Sequence, residues 1–197
     1  LRGVGDGIVE AGIENVLALR GDPPRGQTGF EQPQGGLGSA AELAGMISGA
    51  HPQLAIGGAC FPEVHPEADS LEADLAYLKT KVEAGASFLI TQLFFDNRAY
   101  FSFVDSARAA GIDVPIIPGV IPIVSYDQVK RTCALCDATI PANLKASLEA
   151  LGGDERAEYE FGISYGSAQG AGLLAAGAPG ASHLRRQPPP RRCARTS

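Results

Sequence analysis

Gly57-Gly58-Ala59-Cys60-Phe61-Pro62-Glu63-Val64-His65-Pro66-Glu67-Ala68 is an apolar run that stops abruptly in a polar loop, with a histidine set among carboxylates. A buried strand that opens into a site has this form. Two similar junctions flank it, NVLALRGDPP over residues 15–24 and FLITQLFFD over residues 88–96. In a barrel of parallel strands, polar residues at the carboxyl ends of the strands carry the chemistry. Three such ends in one chain predict an enzyme.

Working outward, strands and helices alternate. Val16–Leu19, Leu54–Ala59, Phe88–Phe94 and Val114–Ile121 read as strands, the last interrupted by Pro118 and Gly119. Helices are predicted over Ser39–Ala50, Leu71–Ala84, Asn97–Ala110, Ser125–Cys136, a short segment opened by Pro141, and Asp154–Ala176. Asp69 followed by Glu72 has the spacing of a capping box, and Gly85 and Gly111 are placed to end helices. Short apolar runs separated by helices indicate parallel strands buried on both faces. An open doubly wound sheet and a closed (β/α) barrel both satisfy this pattern. No G-x-G-x-x-G follows the first strand, and the polar residues lie at several strand ends, so the barrel is favoured.

Bulk properties narrow the function. The 197 residues suit one domain or part of a larger one. The 16 Lys and Arg against 22 Asp and Glu leave a net charge of −6, without the clustered positive charge of a nucleic-acid surface. No apolar run approaches the roughly 20 residues needed to cross a bilayer, so no membrane partner is expected. Cys60, Cys133, Cys136 and Cys193 do not form a disulfide pattern. Cys133 and Cys136 make a C-x-x-C within a predicted helix, but no second ligand pair stands at zinc-site spacing, so no metal is expected. A reduced, cytoplasmic setting fits all four. From Ala181 the composition turns basic and proline-rich. Residues 181–197 are therefore read as a tail apart from the domain at 1–180, either disordered or the product of a shifted reading frame.

At the strand ends the sequence resembles the methylenetetrahydrofolate reductase family. The matching segments are LALRGDPP (17–24), FPEVHPEA (61–68), ADLAYLKTKVEAGA (73–86), ITQLFFD (90–96) and IPGVIP (117–122), in the family's order and spacing. The resemblance implies a (β/α)8 TIM-type barrel with FAD at the carboxyl ends of its strands. It also implies that the barrel is incomplete, with the family's first strands and last strand missing. The implied reaction is reduction of 5,10-methylenetetrahydrofolate to 5-methyltetrahydrofolate with NAD(P)H. The intact enzyme would be a homo-oligomer.

Residue by residue, the resemblance implies that Arg20, Gly21, Ser39, Ala40, Phe61, His65, Asp74, Tyr77 and Lys81 contact FAD. It places Asp22 beside flavin and folate, Gln92 against nicotinamide and folate, and Gln128 against folate. Asp22 and Gln92 are the implied catalytic residues. The glutamate that protonates the folate in the family has no counterpart to assign. Phe61 stands where the family often has tyrosine, Tyr77 and Thr80 replace polar or basic residues, and Ser39-Ala40 replaces an aromatic-Ala pair.

Each position also has a plainer role. Arg20-Gly21-Asp22 makes an ordinary turn, Lys81 a solvated helix residue, His65 a loop support. Gln92 is different, because an amide within ITQLFF must find hydrogen-bond partners if buried. Two other functions fit the same sequence: a non-catalytic flavin-binding remnant, and another pterin-binding barrel that needs no flavin.

Overall fold

The computed structural model describes residues 2–21, 30, 32 and 34–184. Four strands form one parallel sheet in the order β1 (Asn15–Ala18), β2 (Ala55–Cys60), β3 (Ala86–Thr91), β4 (Ile116–Ile117). The helices α2 (Ala40–Ala50), α3 (Leu71–Glu83) and α4 (Asn97–Ala109) connect consecutive strands. Each crossover brings the chain back to the same end of the sheet, so every strand-to-helix loop emerges on one side. The α/β class and the parallel sheet follow the expectation. Asp22 lies outside the described residues, as do residues 185–197 of the predicted tail.

Several boundaries differ from the sequence reading. Residues 2–10 form α1 (Arg2–Glu10), which Gly3, Gly5 and Gly7 obscure in the sequence. The β3 ladder occupies Ala86–Thr91, not Phe88–Phe94. Leu93, Phe94 and Phe95 are nevertheless buried, because they leave the ladder and insert into two apolar clusters. One cluster joins Leu75, Leu78, Leu89, Phe103 and Ile116. The other joins Ile123, Val129, Cys133, Leu144 and Leu148. An apolar run reports burial, which here continues after strand pairing has stopped.

The single strand expected over 114–121 is two. Pro118 has no N–H to give a ladder, and it separates β4 from β5 (Gly119–Val120). The Gly119 N–H bonds to the Thr91 hydroxyl at 2.8 Å, and a Cβ at position 119 would collide with the Thr91 carbonyl oxygen. β5 pairs in parallel with β6 (Ser182–His183). Strand pairing thus continues two residues past the composition change at Ala181.

The predicted helices α5 (Tyr126–Cys136), α6 (Ala142–Ala150) and α7 (Glu155–Ala175) are present. Gly85 (φ +119°) and Gly111 (φ +79°) follow α3 and α4 in the left-handed region expected of helix stops. The cap of α3 is a correction. Ser70, extended at φ −160° and ψ 167°, accepts the Ala73 N–H on its hydroxyl at 3.2 Å, one residue beyond the Asp69 of the predicted box. Pro141 likewise sits at the cap position of α6, one residue before its first turn.

Two stability outcomes follow. Ser70→Ala should lower unfolding stability by about 1 kcal/mol, while Asp69→Ala should stay within about 0.5 kcal/mol. Equal losses in denaturant melts would return the cap to Asp69. Gly119→Ala forces the β5 backbone away from Thr91 and should cost about 3 kcal/mol. A variant as stable as the parent would show that this close approach is not required.

Candidate functional site

The carboxyl end of the sheet gathers most of the expected residues. Beyond β1, Arg20 forms a two-pronged ion pair with Glu67, its guanidinium nitrogens 2.9 and 3.0 Å from the two carboxylate oxygens. Its guanidinium also lies 4.7 Å from the centre of the Phe30 ring. The hydrogen bond from Arg20 holds the Glu67 carboxyl below the usual carboxylate range. Gly21, at φ +84°, takes the turn that follows.

Beyond β2, Phe61 and His65 meet edge to face with ring centres 4.4 Å apart. His65 is tied at two points. Its N–H donates to Asp74 Oδ2 at 2.9 Å, and its Nδ1 accepts the Glu67 N–H at 3.0 Å. Arg20, Glu67, His65 and Asp74 thus form a continuous chain from β1 across the β2–α3 loop to the first turns of α3. Asp74 and Lys81 are seven residues apart, two turns along one helical face, and both are buried.

Lys81 is the most unusual member. It is only 6% exposed, and its ammonium donates to the Ala59 carbonyl at 2.9 Å and sits 4.9 Å from the Tyr77 ring centre. No carboxylate among the described residues lies within ion-pair distance of it. Burial holds its pKa below the ordinary lysine value, with Asp74 acting in the opposite sense. The plainer reading of Lys81 as a solvated helix residue is therefore wrong. The neighbouring Cys60 thiol is pushed strongly upward by burial, so it is an unreactive core group.

Beyond β3, the Gln92 N–H donates to the Cys60 carbonyl at 2.7 Å, which seats Gln92 directly beside Phe61. Its side-chain oxygen accepts the Leu93 N–H at 2.9 Å. Ser39 and Ala40 open α2 on the same side of the sheet, but the Ser39 hydroxyl is committed to capping Glu42. Gln128, in the first turn of α5, bonds back to the Val124 N–H at 3.3 Å. Those three residues are therefore near the site by topology, without a contact that joins them to the Arg20–Lys81 cluster.

Sequence reasoning missed the residues that roof Gln92. A cleft enclosing about 10 Å³ has Gln92 and Leu93 as its floor, residues 61–64 as one wall and residues 136–138 as the other. Glu63 and Cys136 line it, although they are far apart in sequence and carry no motif in common. A larger cleft of about 410 Å³ lies between the starts of α4 and α6 and the side of α7, bordered by Phe95, Asn97, Asn143, Tyr165 and Gln169. None of the expected site residues borders it. Of the expected site residues, Phe61 and Gln92 line the smaller cleft, while Arg20, His65 and Lys81 lie outside it. No group of three or more metal-ligating side chains occurs among the described residues, and no helix among them is long and apolar enough to cross a membrane.

The sequence model of the family described as methylenetetrahydrofolate reductase matches residues 2–185. Methylenetetrahydrofolate reductase (NADH) 1 of Arabidopsis thaliana is 42% identical over 176 residues, which cover 84% of this chain and 30% of that protein. The 5,10-methylenetetrahydrofolate reductase of Salmonella typhimurium is 42% identical over 143 residues, covering 73% of this chain and 46% of that one. The chain thus spans less than half of the length of either relative. Among solved structures, an uncharacterized protein from Clostridium thermocellum that binds two copies of 5-methyl-5,6,7,8-tetrahydrofolic acid shares the fold. Its TM-score is 0.52 at 20% identity, covering 84% of this chain and 60% of that one. The match runs through every strand that builds the site and reaches past β6, and on it the chain belongs to the methylenetetrahydrofolate reductase family.

Proposed function

We propose that this chain forms the flavin- and folate-binding part of a methylenetetrahydrofolate reductase, built on part of a (β/α)8 barrel. The observation that carries the reading is the Lys81 ammonium, buried at the carboxyl end of the sheet without an ion-pair partner among the described residues. A buried cation bonded only to a carbonyl is poorly compensated. A phosphate group supplies the missing negative charge, and Arg20 stands at the adjacent strand end. The donor set fits the diphosphate and hydroxyl groups of FAD.

Bound there, FAD would supply the capacity to take hydride from NAD(P)H and give it to 5,10-methylenetetrahydrofolate. The chain's own residues do the rest. Lys81 holds an anionic group by charge beside the Arg20–Glu67 pair, and His65, fixed by Asp74 and Glu67, orients a neighbouring hydroxyl or phosphate. Gln92 offers an amide, which can both donate and accept, to a ring edge that carries the same pair of functions. Asp22 places a negative charge beside the flavin and accepts from the pterin, and Gln128 approaches folate from the start of α5. None of these residues is assigned the proton donation that opens the folate ring. We therefore assign binding and orientation to this chain, and homo-oligomerisation to the intact enzyme.

Removing the charge at Lys81 tests the reading. Lys81→Met keeps the stem that packs in the core and deletes the ammonium. FAD affinity of the 197-residue chain, read by quenching of flavin fluorescence, should fall about 10- to 100-fold, the scale of a lost charge-assisted contact. The variant should remain as stable as the parent or become more so, since an uncompensated buried charge is removed. Equal FAD affinity in parent and variant would remove Lys81 from the flavin site. A parent chain that binds 5-methyltetrahydrofolate but no FAD would favour a flavin-independent pterin barrel.

A further inference from the structure

Two features of the β2–α3 loop are left unused by flavin and folate binding. Val64 adopts φ +70°, a left-handed conformation that a β-branched residue avoids. Such strain persists only where surrounding contacts over-determine it, and it concentrates at functional sites. The adjacent Glu63 reaches 76 residues along the chain, where its Oε2 accepts the Thr139 N–H at 2.7 Å. Thr139 belongs to the α5–α6 loop, which leaves α5 through Asp137 in the left-handed conformation, at φ 52°.

These two loops are the walls of the cleft above Gln92. The enclosed 10 Å³ holds about one water molecule. A flat heterocycle cannot reach the Gln92 amide while the walls stand this close. The strained turn is tied down at three points: Val64 N–H to the Phe61 carbonyl at 3.2 Å, His65 N–H to Asp74 at 2.9 Å, and Glu63 to Thr139. The first two tethers lie within the β2–α3 segment. The third crosses the cleft and ties one wall to the other.

We propose that Glu63 is a latch: its carboxylate holds the α5–α6 loop over Gln92, and a planar ring gains access to Gln92 when the Glu63–Thr139 bond breaks. Glu63 is a positioning residue, since it acts on the loop and not on the ring. The inference rests on Gln92 facing the folate, but the latch itself is measurable without folate. A simple loop cap would change stability alone, whereas a latch changes access to the cleft wall. Cys136 is in that wall, and Cys133, one turn earlier on α5, is buried beneath it. The two thiols separate local opening from unfolding.

The test is alkylation of the full 197-residue chain by iodoacetamide, with Cys133 and Cys136 resolved by peptide mass spectrometry. Glu63→Ala should speed Cys136 labelling about tenfold, the size of a lost charge-assisted hydrogen bond, with Cys133 unchanged. Glu63→Gln retains an acceptor and should stay within about twofold of the parent. Thr139→Pro deletes the donor from the opposite wall and should reproduce the alanine result, which covers a poorly folding Glu63→Ala. Parent-like Cys136 labelling in the alanine and proline variants overturns the latch, as does equal acceleration of both thiols. Added 5-methyltetrahydrofolate should then slow Cys136 labelling in Glu63→Ala. If it does not while the latch results hold, the folate placement fails and the latch stands.

Discussion

The hydrogen bond from the Gln92 N–H to the Cys60 carbonyl closes the β2–β3 ladder, and the site depends on where that ladder stops. The register pairs Cys60 with Thr91, so both strands end at the same level. Past this rung each chain must find other partners. Phe61 turns toward His65, and Leu93 and Phe94 drop into the two apolar clusters. Gln92 is left between them with its amide at the mouth of the sheet. A one-residue slip would send Gln92 to the opposite face and bring a core residue into its place. Thr91 reinforces the stop, since its hydroxyl takes the Gly119 N–H and holds β5 against the end of β3.

The electrostatics at this end are unevenly balanced. Arg20 and Glu67 neutralise each other in a forked pair. The Asp74 carboxylate is used by a backbone N–H two turns from Lys81. Lys81 therefore lies in the core with a carbonyl and an aromatic ring as its partners among the described residues. An isolated buried charge is among the costlier things a fold can retain. Its persistence here is economical if the compensating charge comes from a ligand, and it is why burial lowers the Lys81 pKa where an ion pair would have raised it.

Elements with strong local chemistry were legible in the sequence. The helices from Ala40 to Ala175 stand close to where glycine stops, serine caps and apolar spacing put them. The alternation of short apolar runs with helices correctly implied a parallel sheet. The errors share one cause, which is that local signals do not report pairing partners. Asp69 and Ser70 are both competent caps, and the backbone trajectory selects Ser70. Pro118 was visible as an interruption, yet the pairing of β5 with β6 joins Gly119 to Ser182, 63 positions on, in a stretch that read as a tail. The glycines of α1 concealed a helix. The family motif singled out Arg20, His65, Asp74 and Lys81, which the structure brings close together, but it did not reveal that Glu67 ties Arg20 to His65. The Glu63–Thr139 contact carries no sequence signal, because a glutamate in one loop and an N–H in another are ordinary until the fold joins them.

The substitution of Phe61 for the family's frequent tyrosine bears directly on His65. Losing the hydroxyl removes one polar contact but leaves an aromatic edge-to-face partner that fixes the plane of the imidazole. With Nδ1 accepting the Glu67 N–H, the neutral ring must carry its proton on Nε2. His65 therefore presents a donor on its remaining nitrogen, set by a backbone contact and held by the Phe61 ring. Arg20, Lys81 and His65 then share one chemical character: each is a donor, and two are cationic. A site that offers donors from three separate segments is matched to a ligand rich in acceptors, which is what phosphate and ribityl oxygens provide. The amide of Gln92, standing apart across Phe61, is matched to a ring edge with mixed donors and acceptors. On the proposed reading, hydrogen-bond polarity assigns the phosphate to the Arg20, His65 and Lys81 side and the ring to Gln92.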